Sequence, residues 1–356
     1  MRATPIKGRG SLSNGTSRFE AFQRVSFDDE WETSQTDGTP KPATTVTAET
    51  AKSIISRNDS PDIPFDQSIN PYRGCEHGCI YCYARPTHAY LNHSPGLDFE
   101  TKLYAKHNAA DLLRKALSSP SYVPKLIALG ANTDPYQPIE RRLRITASIL
   151  AVLQEFNHPV AITTKSASVT QDIELLAQMA GKNLVRVFMS VGTLDREIVR
   201  TLEPRASTPG ARLEALRKLS EAGVPTGVIV APVIPSVTDH DMERVLFSAK
   251  DAGARDAAYV LLRLPLEIAD LFREWLAAHH PLKEAHVMNL IKQMRGGRAY
   301  DSDFGIRMKG SGVFADLLEQ RFRKACAKAG LNLTRHPLDT SLFRRPAENK
   351  RQLDLF

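Results

Sequence analysis

The sequence predicts an α/β protein built on six parallel strands. Three observations carry that expectation. Short apolar runs recur between residues 125 and 264, segments of helical periodicity separate them, and polar, turn-rich stretches bound them. Strands alternating with helices pair in parallel through right-handed crossovers, because a twisted strand feeding a helix packs back onto its sheet only that way.

In chain order, residues 1–62 are polar, with Gly, Ser, Thr and Pro interspersed and a threonine-rich stretch from Thr33 to Thr50. Such a composition buries too little apolar surface to offset ordering entropy, so a mobile N-terminal arm is expected. Residues 63–280 carry the strand and helix alternation. A short first strand precedes Cys75. The second run is Lys125 to Gly130, after which Ile145, Ile149, Val152 and Phe156 mark one face of a helix. Pro159 to Thr164 follows, with a helix near 170–181, then Leu184 to Val191 with helical segments to Ala222. Val224 to Val233 is the fifth strand, a helix opens at the capping-box-like Thr238 and Asp241, and Ala257 to Leu264 is the sixth strand. Residues 281–340 read as a small helical C-terminal extension, two helices around an Arg-Gly-Gly-rich loop with Tyr300 and Asp301. Residues 341–356 read as a flexible tail.

Composition narrows the function classes. The chain of 356 residues is long enough for one large core with appendages. No apolar run approaches the length that crosses a bilayer, the best being Val228 to Ile234 with Pro232 inside it. Residues 1–24 hold Arg2, Lys7, Arg9, Arg18 and Arg24 without an apolar segment, so no secretory signal is read there. Four cysteines, three in one loop, fit a reducing compartment, and a soluble cytoplasmic protein is expected. The formal charge of +7 is consistent with a polyanionic partner such as DNA. Basic residues cluster at Arg141, Arg142 and Arg144 and again at Arg321 to Lys324, although a solvated helix face accounts for either cluster alone.

The segment Gly74-Cys75-Glu76-His77-Gly78-Cys79-Ile80-Tyr81-Cys82 spaces three cysteines as C-x3-C-x2-C. Thiolates this close, with Gly74 and Gly78 letting the backbone fold around a centre, suit a [4Fe-4S] cluster. Three protein ligands for four irons leave one iron open to a small molecule, which implies chemistry and not electron storage alone. A zinc site would need His77 or His88 as fourth ligand, and zinc patterns usually come as two separated pairs. A disulfide framework fails because the one further cysteine, Cys326, is far away in the sequence.

With Tyr81 before its third cysteine, this segment resembles the signature of the radical S-adenosylmethionine superfamily. The resemblance implies a partial (β/α)6 TIM-like barrel, a [4Fe-4S] cluster on Cys75, Cys79 and Cys82, S-adenosyl-L-methionine as cofactor, and a one-electron donor of the flavodoxin or ferredoxin type. It also implies cleavage of the sulfonium to a 5′-deoxyadenosyl radical that abstracts hydrogen from substrate. In such barrels chemistry gathers at the C-terminal strand ends. Asn132, Thr133 and Asp134, at the second strand end, are then candidates for the methionyl amino group. Lys165, at the third, is the candidate for the methionyl carboxylate, since a lysine at a barrel mouth is costly without an anion. Ser190, at the fourth, is assigned to a ribose hydroxyl and Val233, at the fifth, to an apolar wall for adenine. Tyr81 is grouped with these cofactor contacts. Tyr136, Arg205 and Arg263 are read toward substrate, Arg263 with the alternative of pairing with Glu203.

The segments Asn70 to Glu100, Gly130 to Glu140 and Tyr300 to Gly305 further resemble a bacterial group related to spore photoproduct lyase and labelled DNA repair photolyase-like. That resemblance implies DNA repair or base modification. The lyase's hydrogen-donating cysteine has no counterpart between Asn132 and Tyr136, so reversal of a spore lesion by that route is not expected. A small-molecule, peptide or RNA substrate, or a non-catalytic metal-bearing nucleic-acid-binding protein, are the alternatives. Finally, Gln352-Leu353-Asp354-Leu355-Phe356 looks like the peptide that binds the bacterial sliding clamp. Leu355 and Phe356 on a polar tail suit insertion into a partner's groove, with Gln352 and Leu353 setting orientation.

Overall fold

The computed structural model describes residues 5–20, 43–334 and 337–346. Its strands are β1 (Thr45–Glu49), β2 (Ile55–Arg57), β3 (Gln67–Ile69), β4 (Tyr72–Arg73), β5 (Lys102–Lys106), β6 (Ile127–Leu129), β7 (Val160–Thr164), β8 (Val185–Ser190), β9 (Thr226–Val233) and β10 (Asp256–Leu261). The main sheet runs β10-β9-β8-β7-β6-β3-β2. Its members from β3 to β10 are parallel neighbours, and β2 lies antiparallel to β3 at the edge. With their crossover helices these six parallel strands form the incomplete (β/α) barrel the sequence implies. Burial alternates along the strands: Val160 and Ile162 of β7 and Val185, Val187 and Met189 of β8 are buried, while Ala161, Thr163, Arg186 and Phe188 between them are half-buried. Helix Ile145–Glu155 buries Ile145, Ile149 and Val152 in the same core as Leu113 and Leu117 of helix Ala109–Ser118.

Two expectations are corrected. Residues 5–20 and 43–62 do not form a detached arm. Gly10 and Ser11 donate their N–H groups to Glu100, and β1 pairs in parallel with β5, which also carries β4. The composition argument missed this because backbone hydrogen bonds hold most of these residues, with only Leu12, Ile54 and the half-buried Val46 and Ile55 as apolar contacts. Thr238 does not cap a helix: its hydroxyl donates to the Pro232 carbonyl at 2.9 Å and accepts from Ile234 N–H at 2.8 Å, bracing the exit of β9.

The sheet does not close on itself. β10 and β2 are its edges, and the loop between helices Glu284–Gln293 and Val313–Ala329 bridges them. In that loop Gly305 N–H and Arg307 Nε donate to the Asp62 carboxylate, at 3.1 and 2.7 Å, in the connection between β2 and β3. At the opposite pole, residues 337–346 cross the N-terminal ends of the strands. Phe343 packs among Tyr122, Phe156 and His158, Arg344 N–H donates to the Phe156 carbonyl, and Arg345 donates to the carbonyls of Ser119 and Tyr122. Among the described residues no helix is long and apolar enough to cross a membrane.

Candidate functional site

The three cysteines lie on the loop that leaves β3 and β4 at the C-terminal end of the sheet. Cys75 N–H donates to the Phe99 carbonyl at 3.0 Å, Ile80 N–H to Leu202 at 3.1 Å, and Cys82 N–H to Cys79 at 3.2 Å. Gly74 and Gly78 have φ of +74° and +66°, which side chains rarely adopt. A Cβ on Gly74 would lie 2.8 Å from Leu103 Cδ2 and 2.9 Å from the Phe99 carbonyl oxygen, and one on Gly78 would lie 2.7 Å from Glu100 Oε2. Cys75 and Cys79 are buried, Cys82 is half-buried, and all are free thiols.

Burial and the Asp134 carboxylate push the Cys75 thiol well above its ordinary range. Burial, with Glu203 adding and Lys165 opposing, pushes Cys79 up to about 12. The Cys75 and Cys79 thiols therefore stay protonated until a strong cation arrives, as iron would provide. Three thiols on one loop with its backbone fixed in this way fit a cluster, and Cys75, Cys79 and Cys82 are the residues that would hold it. Among the described residues no three His, Cys, Asp or Glu side chains gather as one ion would require. A cube of irons has no such need, because each cysteine takes a separate corner. The histidines of the zinc alternative are engaged elsewhere: His77 Nδ1 faces Asp134 at 3.3 Å, and His88 Nε2 lies 2.9 Å from the Lys102 carbonyl.

Two polar knots frame the loop. Asp134 Oδ1 accepts from Thr164 Oγ1 and Tyr136 N–H, and Oδ2 accepts from Lys165 N–H at 2.8 Å. Burial alone would raise this carboxyl, but His77 and those donors hold it down at about 2. Glu203, 2 % exposed, accepts from the fully buried Arg212 and from the Tyr81 hydroxyl. Burial would raise Glu203 too, yet Arg212 and Lys165 keep it below its ordinary range.

Of the sequence candidates, Lys165 follows β7 and faces the cysteine loop. Its ammonium lies 5.9 Å from the centroid of the Tyr81 ring and has no ion pair among the described residues. Burial would lower its pKa, but Cys79 and Glu203 prevail and raise it. Asn132 is half-buried, with its N–H on Asn70 Oδ1. Ser190 sits at the end of β8 and donates to the Ala231 carbonyl at 3.2 Å, keeping its lone pairs available. Four other candidates are engaged or buried within the fold. Thr133 is buried and donates its hydroxyl to the Tyr72 carbonyl, and the Asp134 oxygens are taken up in the knot above. Val233 is fully buried in the core and presents no wall. Tyr136 is fully buried with its hydroxyl on Asp172, which leaves it no substrate surface.

Arg205 lies beside the cysteine loop, its N–H on the His77 carbonyl and its guanidinium 3.1 Å from Glu76. Arg263 does not pair with Glu203, whose partners are Arg212 and Tyr81. Its guanidinium stands 5.0 Å from the Tyr83 ring centroid and 6.0 Å from that of Tyr300, with Nε buried and unpartnered. Gln352, Leu353, Leu355 and Phe356 lie outside the described residues. Sequence reasoning missed Arg85 and Glu100, which form a fully buried ion pair directly behind the loop. An arginine in Cys82-Tyr83-Ala84-Arg85-Pro86, three residues after the last cysteine, was the available signal.

The structure thus places a three-cysteine loop at the C-terminal mouth of an incomplete barrel, with the Lys165 ammonium facing that loop, an arrangement that fits an enzyme built around a cluster. The family model described as Radical SAM superfamily matches residues 69–249, and the chain belongs to that superfamily. The family implies a [4Fe-4S] cluster and S-adenosylmethionine. An uncharacterised protein of Mycobacterium tuberculosis is 39% identical over 221 residues, covering 62% of this chain and 65% of that protein. One of Methanocaldococcus jannaschii is 26% identical over 171 residues, covering 48% and 61%. Among solved structures, spore photoproduct lyase complexed with dinucleoside spore photoproduct is 17% identical with a TM-score of 0.57 over 80% of each chain. A mutant of that lyase with bound AdoMet and dinucleoside spore photoproduct gives 16% and 0.58 over the same shares. At these identities the likeness is one of fold.

Proposed function

We propose that this radical SAM enzyme carries a [4Fe-4S] cluster on Cys75, Cys79 and Cys82, binds S-adenosyl-L-methionine beside it, and acts in DNA repair or base modification. The observation that carries the reading is the half-buried, unpaired Lys165 facing the cysteine loop. Bound together and reduced by one electron from a flavodoxin or ferredoxin type of donor, the two cofactors supply a 5′-deoxyadenosyl radical that abstracts hydrogen from substrate. The chain's own residues do the rest: Lys165 takes the methionyl carboxylate, Ser190 offers its oxygen to a hydroxyl, and the buried knots at Asp134 and Glu203 keep water out. Nucleic acid as substrate is supported by the charge of +7 and by Arg263 between two tyrosine rings, a cation with flat faces for an anionic, aromatic ligand.

The test is anaerobic reconstitution with iron and sulfide, reduction with dithionite, and measurement of 5′-deoxyadenosine with and without damaged duplex DNA. Stimulation by DNA is expected. Product formation that ignores DNA removes the repair reading and leaves the enzyme class. In the same preparation Lys165→Met weakens S-adenosylmethionine binding about tenfold or more, because the carboxylate loses its one cation. Equilibrium binding measures it, and unchanged affinity removes Lys165 from the site.

We further propose that Gln352, Leu353, Leu355 and Phe356 dock on the sliding clamp. Leu355→Ala with Phe356→Ala abolishes capture of the full chain by purified clamp, since buried anchors dominate such contacts. Capture that survives the double substitution overturns the assignment.

A further inference from the structure

Residues 9–14 cross the back of the cysteine loop, and their contacts converge on Glu100. Its carboxylate is fully buried and accepts N–H groups from Gly10 at 3.0 Å and Ser11 at 2.9 Å, with Arg85 Nη2 on the other side. Arg85, also fully buried, donates its other four N–H groups to four main-chain carbonyls. These are Cys79 at 2.8 Å, Gly78 at 3.0 Å, Pro95 at 3.1 Å and Gly96 at 2.9 Å. All five donors of the guanidinium are thus satisfied, two of them on the loop itself.

The fit leaves no slack. A Cβ on Gly10 would lie 1.8 Å from the Gly78 carbonyl oxygen, so only glycine lets the segment pass. Further along, Leu97 N–H donates to the Ser13 carbonyl, and Asn14 and Asp98 exchange two hydrogen bonds of 3.0 Å. An ion pair without water is costly to desolvate, and apolar residues of similar volume would support the fold as well. Directed donors on Gly78 and Cys79 are something apolar residues cannot provide.

We infer that residues 9–14 are a clasp that holds the Cys75 to Cys82 loop in its ligating shape through Glu100 and Arg85, with Glu100 the positioning residue. The inference rests on the reading of this loop as the cluster loop. Neither Arg85 nor Glu100 acts on the cluster directly. Their effect runs through the carbonyls of Gly78 and Cys79, which fix where the Cys79 thiol points. Loosening the clasp lets the thiols spread and lets oxygen in.

Full-length wild type and Gly10→Ala are compared, with Glu100→Gln as a second variant that keeps the side-chain volume but places an amide where three donors converge. Hydrogen exchange across residues 74–84 of metal-free Gly10→Ala is expected to speed up about tenfold while the strands β7 to β9 stay unchanged. After reconstitution, its iron is lost to air several-fold faster, and the electron paramagnetic resonance signature of the reduced cluster changes on adding S-adenosylmethionine differently from wild type. Exchange within about twofold of wild type, or a loosened loop with an unaltered cluster signature, overturns the clasp. Wild type that takes up no iron and sulfide overturns the cluster reading itself, a result distinct from normal wild-type loading with an indistinguishable variant.

Discussion

Replacing Cys79 with alanine abolishes 5′-deoxyadenosine formation, whereas replacing Cys326 leaves it intact. Cys79 is buried, within electrostatic reach of Lys165 and Glu203, and its carbonyl is pinned by Arg85. No spare thiol stands near, since the chain has four cysteines and the fourth, Cys326, is packed in helix Val313–Ala329 within the main core. A cube held by two thiolates in place of three has no defined open iron, so the fall is to background, about a thousandfold or more. Cys326→Ala removes one buried sulfur at a cost of about 1 kcal/mol, which leaves the barrel folded. Chromatographic quantification of 5′-deoxyadenosine decides it, and a Cys79→Ala protein retaining a substantial share of wild-type turnover would remove that cysteine from the cluster.

The largest stability effect is expected at Arg212. Its guanidinium is fully buried and donates to Glu203, to the Ser190 carbonyl at 2.8 Å and to the Ser207 carbonyl at 2.7 Å. Arg212→Leu strands a buried carboxylate and costs about 3–5 kcal/mol. The pH dependence gives the mechanism a signature. In the wild type Glu203 is held below its unfolded pKa, so its contribution is present above that value and fades as pH falls through the folded one. With Arg212 gone, only Lys165 and Tyr81 oppose burial, the folded pKa of Glu203 rises, and where it passes the unfolded value the variant loses stability as pH climbs between the two. The gap between the proteins therefore widens from pH 4 to pH 7 in urea denaturation. Arg212→Leu combined with Glu203→Leu recovers most of the loss, because the unpaired charge is gone. A gap that is flat with pH would mean that lost packing, and not the stranded charge, is responsible.

The barrel strands were legible because their buried positions are apolar and β-branched for the most part: Val160 and Ile162 in β7, Val185 and Val187 in β8, Val228 and Val230 in β9. The cysteine loop was legible because ligand spacing is local. The small sheet was not: Thr45-Val46-Thr47-Ala48-Glu49 of β1 is half-exposed and polar, with no periodic signal to distinguish it from a linker. The clasp was hidden for a different reason, since Gly10 and Ser11 bind through N–H groups that every residue carries. Thr133, Asp134 and Tyr136 were harder to read because a polar strand tip at the mouth serves equally as ligand or as internal bracing. Only partners distant in sequence, such as His77 and Asp172, decide between the two.

The segment that ends with Phe343, Arg344 and Arg345 fixes the point of departure of the residues that follow Pro346, at the pole facing away from the cysteines. A partner held at that pole would grip the protein from behind, and the mouth of the barrel with its cysteines would stay turned outward and uncovered.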